Sequence, residues 1–134
     1  MKKRPLILVV EDNEANQLLA SAVLELAGYR VELAASAREA VERLTANLPD
    51  LILMDVQLPG EDGLGLTRRL KANPRTAMIP IVALTAHAMV GDREQALAAG
   101  CAGYIAKPIN TRTFGEQIRR YMKAVSPLGE VAPT

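Results

Sequence analysis

The chain has 134 residues, 49% of them hydrophobic, enough apolar mass for one domain with a sizeable core and little left for a second. Lys and Arg number 16 against 15 Asp and Glu, a formal net charge of +1. That balance gives no electrostatic reason to expect nucleic acid or a membrane surface as partner. Lys2-Lys3-Arg4 followed by Leu6 to Val10 is too short an apolar stretch for a secretory signal and runs straight into Glu11-Asp12. No segment approaches the ~20 apolar residues of a membrane span. The single Cys101 excludes an internal disulfide and fits a reducing compartment, so a cytoplasmic protein is expected.

Leu6 to Val10 is a continuous apolar run, the pattern of a parallel strand covered on both faces, and it ends in Glu11-Asp12. Ala15, Leu18, Leu19, Ala22, Val23 and Leu26 then recur at helical spacing and predict an amphipathic helix with that stripe buried. Gly28 follows, where a helix end often needs a positive φ. From Tyr29 to Ala34, Arg30 and Glu32 alternate with Val31 and Leu33, which suits a less covered edge strand. Ser36-Ala37-Arg38-Glu39 has the form of a capping box, with Ala37, Ala40, Val41 and Leu44 as the buried stripe behind it.

Leu51 to Met54 is the third run, ending in Asp55. Gly60, Gly63 and Gly65 read as a flexible turn beside a helix from about Glu61 to Ala72; without a Walker lysine they are no phosphate loop. Ile81 to Leu84 ends in Thr85. A weakly amphipathic helix, about Met89 to Ala99, rests on Met89, Ala96 and Leu97. Cys101, among small residues, is expected to be a buried thiol. Tyr104-Ile105-Ala106 is a short strand candidate ending in Lys107-Pro108. Thr111 can cap a last helix with Phe114, Ile118, Tyr121 and Met122 on its apolar face. One domain over residues 5–124 is expected, with 125–134 a short flexible tail and no output domain.

Strands alternating with helices predict an α/β, doubly wound, three-layer fold with a parallel five-stranded sheet. In such sheets ligands bind outside the carboxyl ends of the strands. Glu11, Asp12, Asp55, Thr85 and Lys107 all follow strand ends, so three carboxylates, a hydroxyl and an ammonium are predicted to meet on one edge. Two like charges ~4 Å apart repel by about 4 kcal/mol at an effective dielectric of 20. A hard dication relieves that repulsion, and an all-oxygen set suits Mg2+. Phosphoryl transfer asks for a nucleophile, a metal and donors on the equatorial oxygens. Asp55, Thr85 and Lys107 supply the protein's share.

Val10-Glu11-Asp12-Asn13, Leu53-Met54-Asp55-Val56-Gln57-Leu58-Pro59-Gly60, Ala83-Leu84-Thr85-Ala86 and Tyr104-Ile105-Ala106-Lys107-Pro108-Ile109 resemble the motifs of CheY-like receiver domains of two-component response regulators. The resemblance implies a flavodoxin-like sheet of order 2-1-3-4-5. It also implies Asp55 as phosphoacceptor, charged by a phosphohistidine on a histidine kinase or histidine phosphotransfer protein. It implies Mg2+ held by Asp12 and Asp55, by Glu11 through a water, and by the Gln57 backbone carbonyl. Thr85 and Tyr104 would form a switch pair read by a downstream protein, Gln57 and His87 would tune dephosphorylation, and the bond before Pro108 would be cis. The first acid is Glu where Asp is commoner. The blocks are most similar to stand-alone DivK-type regulators and to receivers of hybrid sensor kinases. A phosphorylation-independent pseudo-receiver is the further alternative, against which the intact acid set argues. An aspartyl-phosphate phosphatase would need an acid two residues after its nucleophile, where Gln57 stands. A flavin carrier is disfavoured by the lack of Trp and by 3% aromatic content.

Overall fold

The computed structural model describes residues 4–58, 60–86 and 90–124. The apolar runs form β1 (Leu6–Val10), β3 (Leu51–Asp55) and β4 (Ile81–Thr85), flanked by β2 (Arg30–Ala34) and β5 (Gly103–Ala106). All five are parallel, in the order β2-β1-β3-β4-β5. The three central strands are buried along their whole length because alternate side chains feed two different cores. Leu8, Val10, Ile52, Met54, Ile81 and Ala83 face one; Ile7, Val9, Leu51, Leu53, Val82 and Leu84 face the other. On the first face lie α2 (Ala37–Ala46), α3 (Gly63–Ala72) and α4 (Val90–Ala99); on the second lie α1 (Glu14–Leu26) and α5 (Phe114–Ala124). β2 is the edge strand its alternation predicted, with only Ala34 fully buried.

Local signals account for most element ends. Asn13 caps α1 by accepting from the Asn16 N–H, and Gly28 follows the helix with φ +100°. Ser36 accepts from the Glu39 N–H, while Glu39 returns to the N–H of Ala35 rather than of the cap residue itself. Asp62 caps α3 through the Leu64 N–H. At α5 the expected cap Thr111 lies in the preceding turn. Asn110 holds that turn instead, its side chain accepting from the Arg112 N–H and its carbonyl from the N–H groups of Thr113 and Phe114. Phe114 and Ile118 are fully buried, as the helical spacing predicted.

The expected buried face of α1 is wrong. Leu18, Leu19 and Leu26 are 69%, 37% and 89% exposed, and Ala15 and Ala22 are exposed beside them. The buried side is built instead on Ala20 and Leu24, with Ala27 and Val23, the one member of the expected stripe on it, partly covered. Gln17 belongs to that inner side, where its amide donates to the Glu11 carbonyl. On α4, Ala96 and Ala99 are buried while Leu97 is largely exposed, and Met89 lies outside the described residues. Cys101 is buried as expected; burial raises its thiol pKa, against the opposing pull of a hydrogen bond with Thr67 and the charge of Lys71. No helix among the described residues is long and apolar enough to cross a membrane.

Candidate functional site

The hydrogen-bonded ladders run past the strand ends and carry the functional residues into register. The Glu11 N–H donates to Ala34 O at 2.9 Å, continuing the pairing of β1 with β2. Val10 pairs with Met54, so Glu11 stands beside Asp55, the last residue of β3. Asp55 pairs with Leu84 and Thr85 with Ala106, and the Lys107 N–H then donates to Thr85 O at 2.8 Å. β1 and β3 are neighbours, and the chain leaves β1 to α1 on one face of the sheet and β3 to α3 on the other, so the crevice of a doubly wound fold opens between them.

Into this crevice Lys107 reaches across the sheet edge. Its Nζ lies 2.9 Å from Glu11 Oε1 and 2.9 Å from Asp55 Oδ2. Burial alone would lower the pKa of this ammonium, but the facing carboxylates of Glu11 and Asp55 outweigh it and hold the pKa above the ordinary lysine value. The peptide bond from Lys107 to Pro108 is cis, as the resemblance implied. Glu11 and Asp55 are almost completely buried, whereas Asp12 is exposed. Oxygens of all three carboxylates fall within 4.8 Å of one another. Asp55 Oδ1 accepts the Gln57 N–H at 2.9 Å, which fixes its carboxylate plane. Thr85 is buried at the end of β4, and Tyr104 is half-buried two residues before the end of β5. His87 lies outside the described residues.

Three carboxylates against one ammonium leave two uncompensated negative charges, the charge of a divalent cation. Glu11 Oε1 is buried and within ion-pair distance of Lys107, yet it has no aligned hydrogen-bond donor among the described residues. An underused buried oxygen inside an all-oxygen cluster fits a hard cation such as Mg2+. The structure thus brings Glu11, Asp12, Asp55, Gln57 and Lys107 together, with Thr85 at the adjoining strand end. Sequence reasoning missed the supports beneath them. Asn13 donates its N–H to Glu11 Oε2, and Gln17 holds the Glu11 carbonyl. Gly63 brings α3 so close that a Cβ there would overlap the Asp55 carbonyl oxygen. The only sequence signal for that approach was its position directly after the helix-capping Asp62.

The profile of the response regulator receiver domain matches residues 7–119. The polar-differentiation response regulator DivK of Brucella ovis is 42% identical over 116 residues, which are 87% of this chain and 94% of DivK. A putative response regulator from Chloroflexus aurantiacus has the same flavodoxin-like fold, with a TM-score of 0.85 at 34% identity over 90% of this chain and 98% of its own. The receiver domain of a sensor histidine kinase from Pseudomonas aeruginosa gives a TM-score of 0.80 at 41% identity, covering 89% and 98% of the two chains. That receiver coordinates a magnesium ion in its active-site cleft. From the profile match and the DivK identity alike, the chain belongs to the response regulator receiver domains of two-component signalling.

Proposed function

We propose that this chain accepts a phosphoryl group on Asp55 from a phosphohistidine, in a Mg2+-dependent reaction, and converts it into a change of interaction surface. The observation that supports this most directly is the Lys107 ammonium, 2.9 Å from both Glu11 and Asp55 at the mouth of the crevice. Glu11, Asp12, Asp55 and the Gln57 carbonyl would hold the ion, which when bound supplies charge neutralisation for the incoming phosphate oxygens. Asp55 forms the new P–O bond as the N–P bond of the donor breaks, with Lys107 and the Thr85 hydroxyl on the transferred oxygens. The Gln57 N–H keeps the acceptor carboxylate aimed throughout. An open recess of about 530 Å3 follows Asp55 in the chain, lined in part by Val56, Gln57, Leu58, Asp62 and Gln95, from which an attacking water can approach past Gln57. Gln57 and His87 are assigned to setting how fast that water removes the phosphoryl group. Relatives of this chain include both a DivK regulator and a receiver of a sensor kinase, and the reading at Asp55 is the same in either setting.

The decisive trial is intact-mass measurement after incubation with acetyl phosphate. One phosphoryl group should be gained with Mg2+ and none in EDTA. Failure here and with promiscuous histidine kinases would leave a phosphorylation-independent pseudo-receiver.

The phosphodonor is assigned to the exposed stripe on α1. It begins at Ala15, three residues beyond Asp12, and continues through Leu18, Leu19, Ala22 and Leu26. Leaving a leucine in water rather than burying it forfeits about 1.5–3 kcal/mol, so a donor covering this face would recover much of that. Leu18→Asp should therefore slow phosphotransfer from a protein donor by roughly tenfold or more, since each 1.4 kcal/mol of docking is a factor of ten. Uptake from acetyl phosphate should be unchanged. Equal slowing with both donors would place the defect in the site rather than at the docking face.

A further inference from the structure

Arg93, an exposed residue of α4, places its guanidinium carbon 5.7 Å from the centroid of the Tyr104 ring. That is within cation–π range of a tyrosine face. Among the described residues Arg93 makes no ion pair, so the ring is the partner it has. Tyr104 stands on β5 opposite Ala83, with Ala106 opposite Thr85 one pleat further along the same face. The ring packs half-buried against the core that also contains Ala83 and Ala96, the latter one helical turn beyond Arg93. The half-buried ring therefore lies between the sheet and α4, with Arg93 across one of its faces.

We propose that Arg93 is a positioning residue for the switch. Its guanidinium clamps the Tyr104 ring in the half-buried resting position and ties that position to α4, so that turning the ring inward requires the clamp to open. The proposal rests on the reading of Tyr104 and Thr85 as the switch pair. Its chemistry is specific to a planar, weakly hydrated cation: guanidinium stacks on an aromatic face, while an ammonium does so less well and a neutral amide hardly at all. The strength of such a contact at an exposed site corresponds to about a two- to fivefold bias between the two ring positions.

Fluorotyrosine incorporated into the full chain gives a direct readout, with the Tyr104 signal identified by its loss in Tyr104→Phe. In wild type, Mg2+ with beryllofluoride, a phosphoryl mimic, should move the signal from its resting to its activated position. In metal-free, unphosphorylated Arg93→Gln the signal should already be displaced toward the activated position, by about the two- to fivefold bias stated above. Arg93→Lys should fall between the two, and the melting temperatures of all three should agree closely, which a merely structural role would not produce. An unmoved resting signal in Arg93→Gln, with a normal response of wild type to the mimic, would overturn the clamp. A wild-type signal that ignores the mimic while Asp55 still takes up acetyl phosphate would overturn the switch reading itself, and the clamp with it.

Discussion

Asp55→Asn is expected to take up no phosphoryl group from any donor, while keeping the fold and losing most of its response to Mg2+. An amide in this place has nearly the same shape, and its carbonyl oxygen can still accept the Gln57 N–H. It offers no anionic nucleophile, so the loss should be complete rather than partial. Removing one carboxylate also leaves Glu11 and Asp12 alone against Lys107, which cuts the net charge at the crevice from two negatives to one. Affinity for a divalent cation should fall by roughly tenfold or more, given the strength of unit charges ~4 Å apart. Thermal melting across a Mg2+ titration reads this directly. Wild type should gain about 1.4 kcal/mol when the ion is at ten times its Kd, and the variant should gain little at the same concentration. Without Mg2+ the two should melt within a few degrees of one another. The variant loses one contact of Lys107 but also loses repulsion among the acids. Retained phosphoryl uptake would move the acceptor to another residue.

The second large effect lies at Gly63, where the prediction depends on which of two glycines is changed. Gly63 is the first residue of α3, its N–H donates to Val56 O at 3.1 Å, and a Cβ would overlap the Asp55 carbonyl oxygen. The obstacle is backbone at the end of the central strand, which cannot turn aside as a side chain could. Gly63→Ala should therefore push the helix off the strand, at a cost of about 1–3 kcal/mol. The melting temperature should drop by roughly 4 °C or more. The displaced strand end should weaken the response to Mg2+ as well. Two residues on, a Cβ at Gly65 would meet nothing within 4 Å. Gly65→Ala should stabilise by up to ~1 kcal/mol through helix propensity alone. Calorimetry on the pair settles the matter, and similar melting temperatures for both variants would show that α3 can withdraw freely from Asp55.

The contrast between those glycines marks what the sequence could and could not reveal. The strand ends were legible because continuous apolar runs locate strands in a doubly wound fold, and each run here stops at a polar residue of the candidate site. Glu11, Asp55, Thr85 and Lys107 followed from that rule, and the edge position of β2 followed from Arg30 and Glu32. The glycines after β3 looked like one flexible turn, since a close approach of backbone to backbone leaves no trace in composition. The face of α1 failed for a different reason. Apolar periodicity assumes that the most hydrophobic stripe is the buried one. Here Ala20 and Leu24 face inward, with Gln17 bonded to the Glu11 carbonyl on the same side, and Leu18, Leu19 and Leu26 face out. Thr111 lost its expected capping role to Asn110, one residue earlier, whose amide closes a tighter turn with the same local chemistry. Arg93 carried no signal at all, because its partner is distant in sequence and its contact is with a ring face.

The two-sided wrapping of the sheet has a consequence for traffic through the molecule. The leucines of α1 and the Arg93–Tyr104 contact of α4 and β5 belong to opposite faces, separated by a full layer of strands. Under the proposed reading, a donor docked on α1 and a reader of the Tyr104 switch would approach from different directions and need not displace one another. The chain could then be recharged while still held by its reader, so the duration of an output would be decoupled from the residence time of a single phosphoryl group.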